Sequence, residues 1–253
     1  MSRYGGSDSS LSKRQKRMHV GARVGSLGLL FAIATTFPLL PLHASDSDPD
    51  YKAEPASIQV PPELAPAVRQ ELSADAIRVA GPDGAFCEIW LRINIPPAAT
   101  MNRDTGVAFG QIAEGSLIGA VRFDGNAADY RNQSIRPGVY TLRYTLQPVN
   151  ANPTGVSPFR DFLLLVPAGV DLTPAPLAEK DLLDASRKAS GTQHPSIWSL
   201  LPDNAAPVTL PAMRHGDPGN FWGVYFRAPV PTAAGNPAPA VMGLILVGHA
   251  VTT

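Results

Sequence analysis

From Phe86 to Ile95 apolar and polar side chains alternate, with Cys87, Ile89, Leu91, Ile93 and Ile95 on one face and Glu88, Arg92 and Asn94 on the other. A period of two marks a half-buried strand. Pro96-Pro97 then ends it, because proline offers the ladder no N–H. Ser116 to Phe123 repeats the pattern through Leu117, Gly119, Val121 and Phe123. Arg136-Pro137-Gly138 reads as a turn into Val139 to Gln147, where Tyr140, Leu142, Tyr144 and Leu146 face one way and Thr141, Arg143 and Thr145 the other. Asp161 to Val166 is nearly continuous in apolar residues, as in a strand covered on both faces. Two further strands are expected over Phe221 to Ala228 and Val241 to Ala250.

One segment breaks the pattern. Ala178 to Ala189 carries no helix breaker, follows proline-rich turns and precedes Gly191, a helix stop. The spacing predicts a single short helix here, after the Arg160-Asp-Phe-Leu-Leu-Leu-Val-Pro167 strand. Seven or eight short strands with proline and glycine punctuation, and no helix between successive strands, predict a mainly β chain. The expected arrangement is an antiparallel β-sandwich, jelly-roll-like, over residues 67–253.

The N-terminal part differs in kind. Residues 1–44 hold six basic side chains and the single acid Asp8, followed by an apolar run from Val24 to Leu42 and the small residue Ala44. Basic, apolar, small is the order of a signal peptide. Cleavage is expected after Ala44, giving a secreted or periplasmic protein with no membrane span. An uncleaved anchor is the alternative, although Pro38 and Pro41 interrupt the run that would have to span. Residues 45–66 are rich in Asp, Glu, Pro and Ala, and predict a disordered acidic tether with one helical turn around Leu64, Val68 and Leu72.

Composition narrows the function classes. The 253 residues carry 21 basic and 21 acidic side chains, so the basic surplus of a dedicated nucleic-acid binder is absent. One cysteine excludes an internal disulfide framework; Cys87 lies in the apolar phase of its strand and reads as core. Beyond Ala44 there are 15 basic and 20 acidic side chains, a formal charge of −5.

The candidate chemistry is sparse. Gly115-Ser116-Leu117-Ile118-Gly119 lacks nucleophile-elbow spacing, and the sequence has no phosphate loop, dinucleotide fingerprint or H-E-x-x-H. His194, His215 and His249 are separated by 21 and 34 residues, matching no local ligand motif; a fold could still gather them. Asp124 to Asp129 places three oxygen donors in one loop, a crude calcium candidate without the glycine and glutamate positions of an EF-hand. Arg143 and Asp161 are expected to form a cross-strand ion pair, or to contact a ligand if they line a cleft. The aromatic set Tyr140, Tyr144, Phe221, Trp222, Tyr225 and Phe226 fits core packing or stacking on sugar rings. The candidate ligand-binding residues are therefore Arg143, Asp161, His194, His215 and Asp217, with no catalytic residue and no cofactor assigned.

Three segments carry a resemblance: Arg136-Pro-Gly-Val-Tyr-Thr-Leu-Arg-Tyr144, Arg160-Asp-Phe-Leu-Leu-Leu-Val-Pro167 and Ala189-Ser-Gly-Thr-Gln-His-Pro195. They resemble segments of a group of uncharacterised exported bacterial proteins, over most of the chain after about Ala74. The resemblance implies a shared fold and export, and carries over no catalytic residue. A short likeness at Pro-Gly-x-Tyr-x-Leu links it to other secreted β-sandwich domains.

The resulting expectation is an exported, non-catalytic domain that binds a ligand or a protein partner in the cell envelope. Two alternatives stand beside it. One is a metal-dependent or other hydrolase whose site gathers His194, His215, Asp161 and Asp217; the other is a structural envelope component.

Overall fold

Proline-punctuated alternation dictates short strands joined by tight turns, and the chain forms them. A computed structural model describes residues 51–148, 159–202, 207, 209–216, 220–232 and 236–249. The expected signal segment, the start of the expected tether and Asp217 lie outside the described residues. In chain order come β1 (Lys52–Ser57), α1 (Pro66–Arg69), β2 (Leu72–Gly81), β3 (Gly84–Arg92) and β4 (Leu117–Phe123). A small ribbon follows, β5 (Ala127–Ala128) with β6 (Ser134–Ile135), and then β7 (Gly138–Leu146), β8 (Asp161–Pro167), α2 (Glu179–Ser190) and β9 (Ile197–Leu201). The last three strands are β10 (Ala212–Gly216), β11 (Phe221–Pro231) and β12 (Pro237–Val247).

The protein is mainly β and antiparallel, as the alternation predicts. The expected two-layer jelly-roll is not what the pairing draws: one ten-stranded sheet runs in the order β1-β2-β3-β4-β7-β8-β9-β12-β11-β10. β9 makes the sheet continuous, pairing Leu163 with Trp198 on one side and Leu244 with Leu200 on the other. The two end strands approach each other, and the Tyr51 ring sits 5.6 Å from that of Trp222, so the sheet curls almost into a barrel. Alternation along a strand is the same for a sandwich and a barrel, which is why sequence could not separate them.

The interior takes one phase of every long strand. Ile89, Val121, Leu142, Leu163, Val224 and Leu244 are all buried there. Phe123 and Trp198 stack across this interior at 5.3 Å. Helix α2 covers the outer face of β8, laying Leu182 and Ala185 on Phe162, Leu164 and Val166; both faces of that strand are buried, as its continuous apolar run requires. Gly191 ends the helix in the left-handed region (φ +66°), its N–H bonded to the Arg187 carbonyl at 2.9 Å.

The expected tether is corrected from Tyr51 onward. Lys52–Ser57 pairs with β2 in unbroken register, from Lys52↔Ala80 to Ser57↔Asp75. Its proline, Pro55, is tolerated because β1 is an edge strand with one unpaired side. The following residues are anchored too: Leu64 is 1% exposed and packs with Val68 and Trp90, while Trp90 Nε1 donates to the Ile58 carbonyl at 3.0 Å. The expected helical turn is α1. At the other end of β3 the alternation overreaches, since the strand stops at Arg92 and Ile93 is 58% exposed.

Four prolines shape the last hairpin. In the β11–β12 register Pro229 opposes Pro239 and Pro231 opposes Pro237. Counting from the Thr232 N–H to Asn236 carbonyl bond (2.9 Å), these are positions whose backbone nitrogen points away from the ribbon partner. The ribbon loses no bond, while its two outer edges lose their donors. Pairing with neighbours accordingly stops before the prolines: β10 reaches only Tyr225 of β11, and β9 only Gly243 of β12.

Cys87 is 1% exposed, and burial raises its thiol pKa, with Asp124 and Glu88 adding to the rise. A protonated, enclosed thiol does not react. A thiol-reactive dye is expected to leave the native protein unlabelled over hours and to label it fully in denaturant. Prompt stoichiometric labelling without denaturant would contradict this burial.

Candidate functional site

Most residues singled out from sequence are committed to the fold. Arg143 is fully buried on the outer face of β7, and its partner is Asp171, not Asp161. Nε donates to Asp171 Oδ2 at 2.8 Å and Nη2 to Oδ1 at 2.7 Å, a bidentate pair. The remaining guanidinium donors reach the Gly115 carbonyl (2.8 Å), the Ala175 carbonyl (2.6 Å) and the Thr173 carbonyl. Thr141 Oγ1 also donates to Asp171 Oδ2. All five N–H groups are thus used, and none is left for a ligand. The expected cross-strand pair fails because Asp161 lies opposite Leu146, three residues along β7.

Asp161 serves as a second internal clamp. Its Oδ1 accepts the Phe109 N–H (3.0 Å) and the Tyr144 hydroxyl (2.7 Å), and its Oδ2 accepts the Ala108 N–H (2.8 Å), tying the 101–112 loop to the sheet. Burial, reinforced by the Asp161 charge, pushes the Tyr144 hydroxyl pKa well above its ordinary value.

The calcium candidate resolves in the same way. Asp129 is buried, and its carboxylate takes the N–H groups of Arg131, Gln133 and Ile197 together with the Gln133 side-chain amide, all within 3.0 Å. Both oxygens therefore face donors, the opposite of a cation site. Burial raises this carboxyl pKa, opposed by those same hydrogen bonds. Asp124 is exposed on the other side of the loop's short strand, beside Arg122 at 3.7 Å.

The histidines are spread over separate elements. His194 is exposed in the turn after α2, where its carbonyl accepts from Ser190 Oγ at 2.6 Å. His215 lies half-buried on β10 against the Trp222 ring (5.0 Å between centroids), its Nε2 2.5 Å from Asn220 Oδ1. His249, inside the strand expected over Val241 to Ala250, is exposed past the end of β12. Among the described residues no three His, Cys, Asp or Glu side chains gather as metal ligands. Of the aromatic set, Tyr140, Tyr144, Tyr225 and Phe226 are buried, and Trp222 is occupied by His215 and Tyr51.

The concavity lies elsewhere. A cleft of about 600 Å³ opens between the last turn of α2, the β6–β7 turn and the end of β8. Arg136, Lys188, Glu63 and Ser134 line it, with Gly169 at its wall. Tyr140 holds the β6–β7 turn by donating its hydroxyl to the Arg136 carbonyl at 2.9 Å. Arg136, Lys188 and Glu63 are exposed, and none of them makes an ion pair among the described residues. Arg143, Asp161, His194 and His215 do not line this cleft. Sequence reasoning missed Arg136 and Lys188 because each looks ordinary in place, one a turn residue and the other a basic residue in a helix's last turn. Only the packing of α2 against the sheet brings them to one hollow. Compared with known protein families, with curated proteins and with solved structures, the chain matches none.

Proposed function

We propose that this chain is an exported, non-catalytic binding protein of the bacterial cell envelope, which holds a ligand in the cleft beside the last turn of α2. The single observation that carries the reading is the contrast in polar groups. Arg143, Asp161 and Asp129 are consumed by internal bonds, whereas the cleft presents polar side chains that the fold does not use. Its volume lies in the range of small-ligand sites. Export is supported by the basic-apolar-small order of residues 1–44 and by the resemblance of the three quoted segments.

Thermal unfolding tests this directly. An added Cβ at Gly169, in the cleft wall, meets nothing within 4 Å, so Gly169→Trp is chosen to place bulk at the cleft where the backbone has room for a side chain. With envelope extract and a panel of neutral and acidic glycans, the purified protein is expected to show a saturable rise in melting temperature. At a ligand concentration one hundred times Kd the stabilisation is about 2.7 kcal/mol, or roughly 5–10 °C for a domain this size. Gly169→Trp should melt normally without ligand and lose the rise. A rise that survives in Gly169→Trp would place the ligand elsewhere; no rise with any of these would refute the binding reading.

A further inference from the structure

We propose that the cleft selects a singly charged acidic saccharide, one that carries a carboxylate beside free hydroxyls; the inference rests on the binding reading above and narrows it to a ligand class. Arg78, Arg92, Arg122, Arg143, Arg160 and Arg187 each meet a carboxylate within 4 Å, in a chain that is acidic beyond Ala44. Arg136 and Lys188 meet none among the described residues, as is also true of Lys52, Arg69, Arg103, Arg131 and Arg227; what sets these two apart is that they line the same hollow from different elements. Two cations lining one hollow favour an anion there.

The charge balance sets the valence. Glu63 lines the same cleft, so two cations and one carboxylate leave a formal charge of +1. The C-terminal end of α2, whose last turn forms one wall, adds about half a negative charge from the aligned peptide dipoles. The remainder suits one negative charge and opposes a second, which disfavours a phosphate dianion. A carboxylate also matches the planar fork of an arginine. Glu63 and Ser134 supply the acceptors that sugar hydroxyls need. Acid and hydroxyl on one small molecule define a uronic-acid-type saccharide.

The test is titration calorimetry on the purified full chain with saccharides that carry one carboxylate each: the methyl glycosides of galacturonate, glucuronate and mannuronate, and disaccharides of one uronate and one neutral sugar. Their methyl esters, in which the charge is gone and the hydroxyls remain, and inorganic phosphate serve as comparison ligands. Saturable binding of at least one of these monouronates is expected, lost on esterification. The double variant Arg136→Gln with Lys188→Gln, at two exposed positions, should weaken it by about ten-fold or more. Glu63→Gln should bind the acid at least as tightly as the unaltered chain. Equal binding of esters, phosphate binding as tight as any uronate, or an unchanged Kd in the double variant overturns the ligand class. If no uronate binds but envelope extract still raises the melting temperature in a Gly169-dependent way, only this inference falls. If neither occurs, the binding reading falls with it.

Discussion

Arg143→Ala is expected to lower the melting temperature by roughly 10 °C, the consequence of stranding a buried charge at a cost of about 3–5 kcal/mol. Asp171 would lose both guanidinium bonds in a place where its side chain has no exposure; the Thr173 and Ala175 carbonyls would lose their donors, and the Gly115 carbonyl would keep only the Leu177 N–H. Asp171→Ala should cost a similar amount, because it leaves the guanidinium half-paired instead. Combining Arg143→Met with Asp171→Leu removes both charges and should recover part of the loss. Full recovery is not expected, since the Thr173 and Ala175 carbonyls lose donors that Met and Leu do not replace. Thermal unfolding followed by far-ultraviolet dichroism checks the series; a single-variant loss below about 1 kcal/mol would show that the clamp is not what fixes the 171–177 segment.

Trp198→Ala is expected to cost about 3–5 kcal/mol, the range for deleting a large buried aromatic side chain. Trp198 is 1% exposed and stacks on Phe123, which belongs to a strand three places away in the sheet. The contact therefore bridges the interior and braces opposite walls. The same deletion removes the indole N–H bond to Ser196 Oγ (2.9 Å), leaving that hydroxyl buried. A denaturant melt should show the midpoint fall sharply, with Trp198→Phe restoring much of it. A midpoint shift worth less than about 1 kcal/mol would mean that the two walls do not depend on this stack.

What could be read from the chain was whatever depends on near neighbours. The strands at β3, β4 and β7 emerge from alternation to within a few residues, β8 from its continuous apolar run, and α2 from its unbroken run and Gly191. β1 was hidden because Pro55 argues against a strand in general, but not against one at an edge. β2, β9 and β10 were also unread. β9, Ile-Trp-Ser-Leu-Leu, is only five residues long with a single polar residue, too short to carry a period. Partners across the fold were still less legible. Arg143 looked able to meet Asp161 because both flank neighbouring strands, yet register sets them apart and Asp171 arrives from the loop after β8. The cleft could not be foreseen, since Arg136 and Lys188 are 52 positions apart and nothing in their local context marks them.

The proline pairs of the β11–β12 ribbon have a consequence for behaviour at high concentration. Fibril growth needs a strand edge that offers an alternating row of donors and acceptors to the next molecule. Between Arg227 and Val241 that row has gaps on both sides, at Pro229, Pro231, Pro237 and Pro239. The longest hairpin among the described residues is thus a poor template for templated assembly. Among the described residues, the two end strands of the large sheet, β1 and β10, are only six and five residues long, so they too offer little edge for backbone pairing.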